Sequence, residues 1–202
     1  MISETNINIE QNKNNSGWSQ VGAFFWDLFK ILVLAFIITA PFRLFVAEPF
    51  VVSGSSMTPN FHDKDYLIVD RISFRSSLPQ RGDVVVFKYP KDPSEYFIKR
   101  IIGLPGEEVK LQQGHVAIFN REHPEGFRLA EPYLPAQVQT LGRSEPVSLG
   151  DEQYFVLGDN RTASSDSRVW GILPQSDIVG KVWIRVFPLG DFGRIATPTF
   201  NN

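Results

Sequence analysis

The sequence predicts a mainly β protein: a curved β-sheet domain with a small inserted subdomain, preceded by one transmembrane α-helix. Three observations lead to this fold class. One long apolar segment lies near the N-terminus, short runs of β-branched and aromatic residues follow it, and no later segment has the 3.6-residue period of an amphipathic helix. Strands alternating with helical segments would be typical of an α/β fold, and the sequence lacks this pattern.

The composition excludes several classes of protein. The length of 202 residues suits one domain with an appendage, and 17 Phe and 4 Trp give more burial capacity than a disordered chain has. The chain contains no cysteine, which excludes disulfides, thiolate metal sites and cysteine nucleophiles. The formal charge of -2 gives no electrostatic basis for binding nucleic acid, which usually requires a basic patch.

Residues 1–23 are predicted to form a polar tail, because they are rich in asparagine and have no hydrophobic period. Residues 24–47 are predicted to form a transmembrane anchor, since the segment has the roughly 20 residues that a helix needs to cross a bilayer. Its polar or helix-breaking members are few: Asp27, Lys30, Thr39, Pro41 and Arg43. Lys30 and Arg43 lie near its ends, where long side chains reach the lipid headgroups, and Trp26 suits the interface.

Two other interpretations of the apolar segment stay open at this point. A cleaved secretory signal peptide has a hydrophobic region of similar length, but the residues before this one lack a basic cluster and include Glu4 and Glu10. A buried or interfacial amphipathic helix is the third interpretation. Few basic residues flank the segment, so the positive-inside rule gives little information on its orientation.

Residues 48–190 are predicted to form a β domain. Several runs have the composition of strands: Tyr66–Arg71, Val84–Tyr89, Tyr96–Ile102, Glu108–Leu111, His115–Phe119, Gln153–Leu157 and Val179–Phe187. Residues 103–150 contain several prolines and are less hydrophobic, which indicates an inserted subdomain. Residues 191–202 are predicted to be a loose C-terminal tail.

A glycine-containing turn, Gly54–Pro59, follows the apolar residues Phe50–Val52. Glycine permits close backbone approach, and a serine on such a turn can present its hydroxyl and its own N–H to a carbonyl group. Most serine-rich turns have no catalytic role, so this turn by itself only weakly supports a nucleophile.

The predicted strand Tyr96–Ile102 places Lys99 on the same face as Phe97 and Ile101. If that face is buried, the pKa of Lys99 falls from its usual value of about 10.4, and the neutral amine becomes a candidate general base. The simpler interpretation places Lys99 on the solvent face of the strand.

A polar segment, Gly158–Arg168, lies between two apolar runs. Charged side chains this close to large apolar residues are best accommodated in ion pairs and hydrogen-bonded networks. Asp159, Asp166 and Arg168 are therefore expected to form a structural network, with an Asp166–Arg168 pair holding the loop. Such a network is compatible with a functional role for the same loop.

Three motifs together resemble bacterial type I signal peptidase in order and spacing. They are SSMTP at Ser55–Pro59, RGDVVVFKYP and YFIKRIIGLPGE within Arg81–Glu107, and GDNRTASSDSRVWG at Gly158–Gly171. The resemblance extends from about Ala35 to Phe187 and is weakest in the predicted insertion. It implies a signal-peptidase-like β fold and a membrane-bound serine endopeptidase that cleaves N-terminal signal peptides from exported precursor proteins.

The family motifs carry over residue by residue. The resemblance implies that Ser56, directly before Met57, is the nucleophile, that Lys99 is the general base and that Ser164 positions the lysine. It places the oxyanion hole at Ser56 and Gly54. Because Gly54 stands where some members have a serine that contributes a hydroxyl, we expect the N–H of Ser56 to bear more of the stabilisation.

Elementary chemistry agrees with this carry-over. A serine hydroxyl is a poor nucleophile until a base takes its proton, and a desolvated lysine can replace histidine as that base. His62, His115 and His123 have no Ser/Asp arrangement that supports a Ser-His-Asp triad. The sequence has no zinc-ligand spacing, and we expect neither a metal nor a cofactor.

The expected substrates have small residues at the cleavage site, in the A-x-A manner, and small side chains need shallow apolar pockets. The resemblance implies that Phe50, Val52, Met57 and Ile98 line these pockets, and ordinary core positions are the alternative for each. The expected partners are signal-peptide-bearing precursor proteins and the lipid bilayer, with no nucleic acid. The sequence does not predict an oligomeric state.

Chain length predicts the topology. Ser56 lies nine residues after Ala47, so it is within roughly 30 Å of the membrane boundary. Signal peptides are still threaded through the bilayer when they are cut, and a tethered enzyme gains effective concentration there. We therefore expect a single-pass type II protein of the cell (inner) membrane, with its N-terminus in the cytoplasm and its catalytic domain on the trans side.

Two rival functions share some of these features. A self-cleaving repressor-type peptidase also uses a Ser/Lys dyad, but it carries a DNA-binding helix-turn-helix, whereas this chain has a polar tail and an apolar segment. A membrane-anchored β domain that only binds exported peptides does not need Ser56, Lys99 and Ser164 together.

Overall fold

The structure is a computed structural model, and it describes residues 17–45, 47–142 and 145–200. Residues 1–16 of the predicted polar tail and residues 201–202 of the predicted C-terminal tail lie outside the described residues. The chain divides into two compact units, residues 1–42 and residues 43–202. Each unit is described by itself.

The described residues of the N-terminal unit belong to one helix, α1 (Gly17–Phe45), whose last three residues fall in the second unit. Residues Gln20–Thr39 of this helix are exposed along their whole length, and the stretch is long and apolar enough to cross a membrane. The helix begins at Gly17, so residues 17–23, which were predicted as part of the polar tail, are helical instead. They contain no proline that would break a helix leading into the apolar segment. Its few charges include an exposed pair, with Asp27 Oδ1 at 2.7 Å from Lys30 Nζ.

The second unit is built mainly from strands, which confirms the predicted fold class. The strands are β1 (Ala47–Val51), β2 (Tyr66–Asp70), β3 (Val84–Tyr89), β4 (Asp92–Gly103), β5 (Glu108–Gln112), β6 (His115–Phe119), β7 (Phe127–Arg128), β8 (Val147–Ser148), β9 (Gln153–Leu157), β10 (Leu173–Pro174), β11 (Ile178–Phe187) and β12 (Gly193–Arg194). The helical segments are α2 (Ser73–Ser76), α3 (Ser167–Trp170) and the 3₁₀ turns Gln175–Asp177 and Leu189–Asp191.

Every run predicted as a strand overlaps a strand in the structure; three have the predicted bounds (β3, β6 and β9), and the ends of the others differ by one to four residues. Sequence analysis did not predict β1, whose first residue it assigned to the anchor, and it did not predict the two-residue strands. Strands this short contain too few residues to form a recognisable sequence pattern. Their pairing also depends on neighbours that are far away in the chain.

The strands form two antiparallel sheets in the described part of the chain. The larger sheet has eight strands in the order β1-β2-β11-β3-β4-β9-β10, with β12 paired to β11. The smaller sheet has the order β7-β6-β5-β8 and lies within the segment 103–150 that was predicted as an insertion.

Strand β3 explains why the larger sheet has two hydrophobic cores. Val84 and Val86 pack with Leu67 and Val69 of β2 in one core. The alternate residues Val85 and Phe87 pack in a second core with Ile101, Tyr154, Val156, Trp170 and Leu173. Because successive side chains of a strand point to opposite faces, a strand covered on both faces has a continuous apolar run, as VVVF shows here.

A third core joins the smaller sheet to the larger one. Val109, Leu111, Val116 and Ile118 of the smaller sheet pack against Ile102, Phe155 and Leu157 of strands β4 and β9. Gly103 lies at this junction, where a β-carbon would come within 2.7 Å of Leu149 Cδ1. The absence of a side chain at this position allows the two sheets to approach closely.

The larger sheet is strongly curved. Strands β1 and β4 are far apart in the strand order, yet the rings of Phe50 on β1 and Tyr96 on β4 are only 5.7 Å apart. Register shifts interrupt the pairing of β11 with β2 and of β4 with its neighbours, and such bulges increase local twist and bending. The curvature brings the free edge of β1 toward β4 and leaves a cleft between them.

The C-terminal segment differs from the loose tail that the sequence predicts. Gly193 and Arg194 form β12, which pairs with β11. Ile195 packs against one core and Phe200 against another. The described part of this segment is therefore packed against the domain, because its scattered apolar residues find hydrophobic surface that only the folded sheets provide.

Candidate active site

The predicted nucleophile lies on a tight turn after β1. Gly54 has φ of +90°, a conformation that glycine adopts without strain. Its N–H donates to Asp63 Oδ1 at 2.8 Å, and the N–H and hydroxyl of Thr58 both donate to the carbonyl oxygen of Ser55, at 3.2 and 3.0 Å. These bonds fix the backbone on both sides of Ser56.

Lys99 meets this turn from β4. Its Nζ lies 2.8 Å from Ser56 Oγ and 2.8 Å from the carbonyl oxygen of Ile98. The ring centroid of Phe97 lies 5.3 Å from Nζ. Of the two interpretations that the strand pattern left open, the structure has the buried one, in which Lys99 is only 3% exposed.

Burial changes the acidity of this lysine. Desolvation lowers the pKa of Lys99 from 10.5 to about 8, and the negative charges of Asp166 and Asp159 oppose part of that change. A substantial fraction of Lys99 is therefore neutral near pH 8. A neutral amine has a lone pair, so it can accept the proton of the Ser56 hydroxyl across the 2.8 Å contact.

The two residues predicted at the oxyanion hole, Gly54 and Ser56, differ in the structure in whether their N–H groups are available to a substrate. The N–H of Gly54 already donates to Asp63, so it is not free for a substrate, and that part of the prediction is corrected. Within the part of the chain that the structure describes, the N–H of Ser56 has no hydrogen-bond partner. Ser56 can thus present both its hydroxyl and its N–H to one carbonyl group.

Ser164, which the resemblance implies positions the lysine, makes no hydrogen bond to Lys99 among the described residues. Among the described residues its buried hydroxyl has no partner at hydrogen-bond geometry, and the carbonyl of Ile98 takes the second bond of Lys99. Ser164 lies beside Gly158, where its side chain and the carbonyl oxygen of Ser56 both surround the position that a β-carbon of Gly158 would take. A β-carbon at Gly158 would collide with both, so glycine is required for the two segments to approach.

The predicted structural network is present, and it begins with Asp166. This carboxylate accepts bonds from Arg168 Nε at 2.8 Å and Nη2 at 2.7 Å, and from the N–H of Gly158 at 3.0 Å. Burial alone would raise the pKa of Asp166, but the bonds and charge of Arg168, with Gly158 and the nearby Ser164 hydroxyl, lower it below its usual value. The loop therefore keeps a buried negative charge close to Lys99.

Asp159 forms a second buried pair, with Arg100. The two residues are bidentate, with Nε to Oδ1 at 2.8 Å and Nη2 to Oδ2 at 2.6 Å. Asn60 Nδ2 also donates to Asp159 Oδ2 at 2.9 Å, and the Arg100 guanidinium lies 4.1 Å from the centroid of the Tyr133 ring. Arg100 directly follows the candidate base, so this pair holds the part of β4 next to Lys99 in place.

Asn160 is a site residue that sequence analysis did not identify. Its N–H donates to the carbonyl oxygen of Ser56 at 3.0 Å. Its side-chain amide donates to the carbonyl oxygen of Ser55 at 3.1 Å and to Thr58 Oγ1 at 3.0 Å. Asn160 therefore holds the nucleophile turn from the opposite loop, and the sequence signal for it was its place inside the GDNR motif.

The cleft between β1 and β4 ends at the Ser56–Lys99 pair and has a volume of about 460 Å³. Of the residues predicted to line it, Phe50, Val52 and Ile98 do so. Met57 does not: it is 1% exposed and packs in the core with Val52, which corrects that prediction. The lining residues that were not predicted as pocket or catalytic residues are Val51, Ser53, Leu67, Val86, Glu95, Tyr96, Phe97 and Ser165.

The described residues include no group of three or more His, Asp and Glu side chains that could hold a metal ion. The chemistry available at the site is that of a serine hydroxyl, a buried amine and a backbone N–H, in an apolar cleft. This set can transfer an acyl group from a peptide to serine and then to water.

Comparisons with known proteins agree with this chemistry. A family model described as signal peptidase, peptidase S26, matches residues 25–187. A probable signal peptidase I-2 of Synechocystis sp. is 36% identical over 198 residues, which cover 96% of this chain and 84% of that protein. Signal peptidase I of Leptolyngbya laminosa is 36% identical over 177 residues, covering 84% and 83% of the two chains. Signal peptidase I P of Bacillus subtilis subsp. natto is 33% identical over 171 residues, covering 80% and 88%.

Proposed function

This chain belongs to the signal peptidase family, peptidase S26, and from that premise we propose that Ser56 and Lys99 are its catalytic dyad. As a member of the family it is a serine endopeptidase that cleaves signal peptides from precursor proteins. The main support for this dyad is the 2.8 Å contact between Ser56 Oγ and Lys99 Nζ. Burial lowers the pKa of this lysine, so it loses its proton more easily than an exposed lysine.

The first half of the reaction forms an acyl-enzyme. Neutral Lys99 accepts the proton of the Ser56 hydroxyl while Oγ forms a bond to the carbonyl carbon of the scissile peptide. The N–H of Ser56 donates to the developing oxyanion. Protonated Lys99 then gives its proton to the leaving nitrogen as the C–N bond breaks, so the mature chain leaves with a free amino terminus.

The second half returns the enzyme to its starting state. Lys99, again neutral, takes a proton from water, whose oxygen attacks the ester carbonyl of the acylated Ser56. The C–Oγ bond breaks, Oγ regains a proton from Lys99, and the signal peptide leaves with a free carboxylate. No other proton carrier is needed, because the same amine faces Ser56 Oγ in both halves.

The cleft supports an extended substrate. Strand β1 pairs with β2 on one side and has a free edge on the other, and an unpaired edge offers N–H and C=O groups to an added strand. In a peptide extended along this edge, alternate side chains would point into the cleft. Phe50, Val52 and Ile98 surround that space with apolar surface, which suits small side chains near the cleaved bond.

We keep Ser164 in the proposal as a positioning residue. Its side chain lies beside Gly158, close to the carbonyl oxygen of Ser56, and its hydroxyl is near the Asp166 carboxylate. Its contribution is to hold the loop against the nucleophile turn, so its removal should cost less activity than removal of Ser56 or Lys99.

We further propose that the protein is a single-pass type II protein of the cell (inner) membrane. Helix α1 contains the exposed apolar stretch Gln20–Thr39. Ser56 follows the end of that stretch by 17 residues, so chain length keeps it within roughly 60 Å of that membrane boundary. The N-terminus is then cytoplasmic and the catalytic unit lies on the trans side, where signal peptides emerge. Protease protection in intact cells tests this topology: a catalytic unit that is shielded on the cytoplasmic side contradicts it.

The activity is tested with the full chain in lipid vesicles and a precursor that carries an A-x-A site. We expect one cut directly after that site, which mass spectrometry of the mature product can locate. Cleavage at unrelated positions contradicts the proposed function. So does a Ser56→Ala variant that cuts the precursor as well as the unchanged chain does.

A further inference from the structure

A second cleft, of about 580 Å³, adjoins the nucleophile turn on the side of Thr58 and Pro59. Residues Asp159–Thr162, which belong to the loop Gly158–Arg168 that we name the catalytic loop, form another part of its lining. Its remaining wall consists of residues between Pro135 and Leu141, which belong to the inserted segment. A cavity of this size is in the range of ligand-binding pockets.

The two clefts share the same turn. The first is lined by Ser53 and Ser56, and the second by the following residues Thr58 and Pro59. A peptide with its scissile carbonyl at Ser56 places the residues before the cut in the first cleft. The second cleft lies next along the turn, at Thr58 and Pro59, so it is the candidate path for the chain after the cut.

The inserted segment is held firmly to the catalytic loop. Arg161 pairs with Glu131 and donates to Thr140 Oγ1. Arg168 Nη1 donates to the carbonyl oxygens of Leu141 at 3.0 Å and of Arg161 at 2.7 Å. The two arginines of the loop thus fix the wall of the second cleft at a constant position relative to the nucleophile turn.

The second cleft presents neutral groups to solvent. Gln137, Gln139 and Thr162 are exposed and polar, and Leu141 is exposed and apolar. The charged members of the lining, Asp159 and Arg161, are buried and paired. Primary amides donate and accept hydrogen bonds, which matches the backbone of an extended polypeptide.

We propose that this cleft binds the first residues of the mature chain, those directly after the cleaved bond, as an extended and uncharged polypeptide. The inserted segment is then a specificity element for the reaction, with Gln137 as a hydrogen-bonding residue and Leu141 as an apolar contact. This inference rests on the proposed function, because it uses the position of the scissile bond at Ser56.

Two peptide substrates with the same leader residues test the proposal on the detergent-solubilised full chain. The short substrate ends in an amide one residue after the cut, and the long substrate continues with several neutral residues. We expect Gln137→Ala to lower kcat/KM for the long substrate about three- to tenfold, the value of one net hydrogen bond. The short substrate, which does not reach the cleft, should change less than about twofold.

A second variant and a matched control complete the experiment. Leu141→Ser should act in the same direction as Gln137→Ala, whereas Gln112→Ala, an exposed amide of the same segment outside the cleft, should leave both substrates unaffected. Equal losses on both substrates, or no loss with either cleft variant, overturn the proposal. If the unchanged chain cuts neither peptide, the proposed function is contradicted. That outcome differs from one in which both peptides are cut but the cleft variants show no selective loss, which contradicts only the proposal for the cleft.

Discussion

Lys99 Nζ lies 2.8 Å from Ser56 Oγ, although 43 positions separate the two residues in the sequence. The serine comes from a turn after β1 and the lysine from the middle of β4, on strands that are not neighbours in the sheet. Their contact exists because the sheet curves and because Asn160 ties the turn to the catalytic loop. The predictions below test this arrangement.

Ser56→Ala should abolish cleavage of a precursor, because it removes the atom that attacks the peptide. Ser55→Ala is the matched control, since Ser55 is exposed and only its backbone carbonyl takes part in the turn. We expect the control to retain at least half of the activity, measured as initial rates with one precursor. If Ser55→Ala loses activity while Ser56→Ala retains it, Ser55 rather than Ser56 is the nucleophile.

The rate of cleavage should depend on pH through Lys99. Because the pKa of Lys99 is lowered to about 8, its neutral form is lost as the pH falls below that value. We expect kcat/KM to rise with pH and to level off above about pH 8, since kcat/KM reports the ionisation of the free enzyme. A flat profile between pH 6 and pH 9 contradicts the assignment of the base. Lys99→Arg should be inactive at every pH, because arginine stays protonated.

Lys99→Met should make the protein inactive but more stable near neutral pH. The folded pKa of this lysine lies below its unfolded value of 10.5, so the unfolded state binds the proton more tightly and stability falls as the pH decreases from 10.5 toward 8. At about 1.36 kcal/mol per pKa unit, replacing the buried amine removes a desolvation penalty on folding on the order of 3 kcal/mol. The loss of its two hydrogen bonds offsets part of that gain in stability.

Thermal unfolding at pH 6 and pH 10 measures this effect. The rise in Tm for Lys99→Met should be larger at pH 6 than at pH 10. Lys88→Met, an exposed lysine on the neighbouring strand β3, is the control and should change Tm little at either pH. A variant that is less stable than the unchanged chain at pH 6 would show that the lysine stabilises the fold.

Gly158→Ala should reduce cleavage strongly without removing any reacting group. The added β-carbon would collide with the Ser164 hydroxyl and with the carbonyl oxygen of Ser56, so the catalytic loop and the nucleophile turn must separate. A shift of this kind typically lowers the rate about a hundredfold. Gly190→Ala, whose β-carbon meets nothing within 4 Å, should retain full activity. Equal activity of the two variants would mean that the turn tolerates the shift.

Asp159→Ala should destabilise the protein by about 3–5 kcal/mol, because it leaves the buried guanidinium of Arg100 without its partner. Urea unfolding of the full chain in detergent measures the change. Asp151→Ala, an exposed aspartate in a turn, is the control and should stay within about 0.5 kcal/mol of the unchanged chain. A loss as small as that of the control would show that water or another group compensates Arg100.

Several features of the fold could be predicted from local sequence. Runs such as VVVF in β3 and QYFVL in β9 have strand composition whatever their neighbours are, and the apolar stretch of α1 is unmistakable by length. The strand β1 and the packed C-terminal segment could not be predicted, because their pairing partners lie far away along the chain. Residue composition gives no information on such partners.

The candidate site shows the same division. Ser56 and Lys99 were identified from motifs, and the structure brings them together. Met57 was expected in the cleft and lies in the core, because the turn directs its side chain inward while that of Ser56 reaches Lys99. Gly54 was expected at the oxyanion hole, but its N–H is used by Asp63. Both errors have the same cause: a linear motif gives no information on where a side chain or a backbone N–H points in the folded protein.

The sequence by itself determined the mainly β class and the apolar helix, because these depend on residue type and near neighbours, and its motifs singled out Ser56 and Lys99 through the resemblance to a family. Only the tertiary structure decided that Lys99 is buried, that Asn160 holds the nucleophile turn and that the inserted segment forms a second cleft. Each of those features is a contact between distant segments. The curvature of the larger sheet and the arginine pairs of the catalytic loop set these contacts, and they arise only when the whole chain packs.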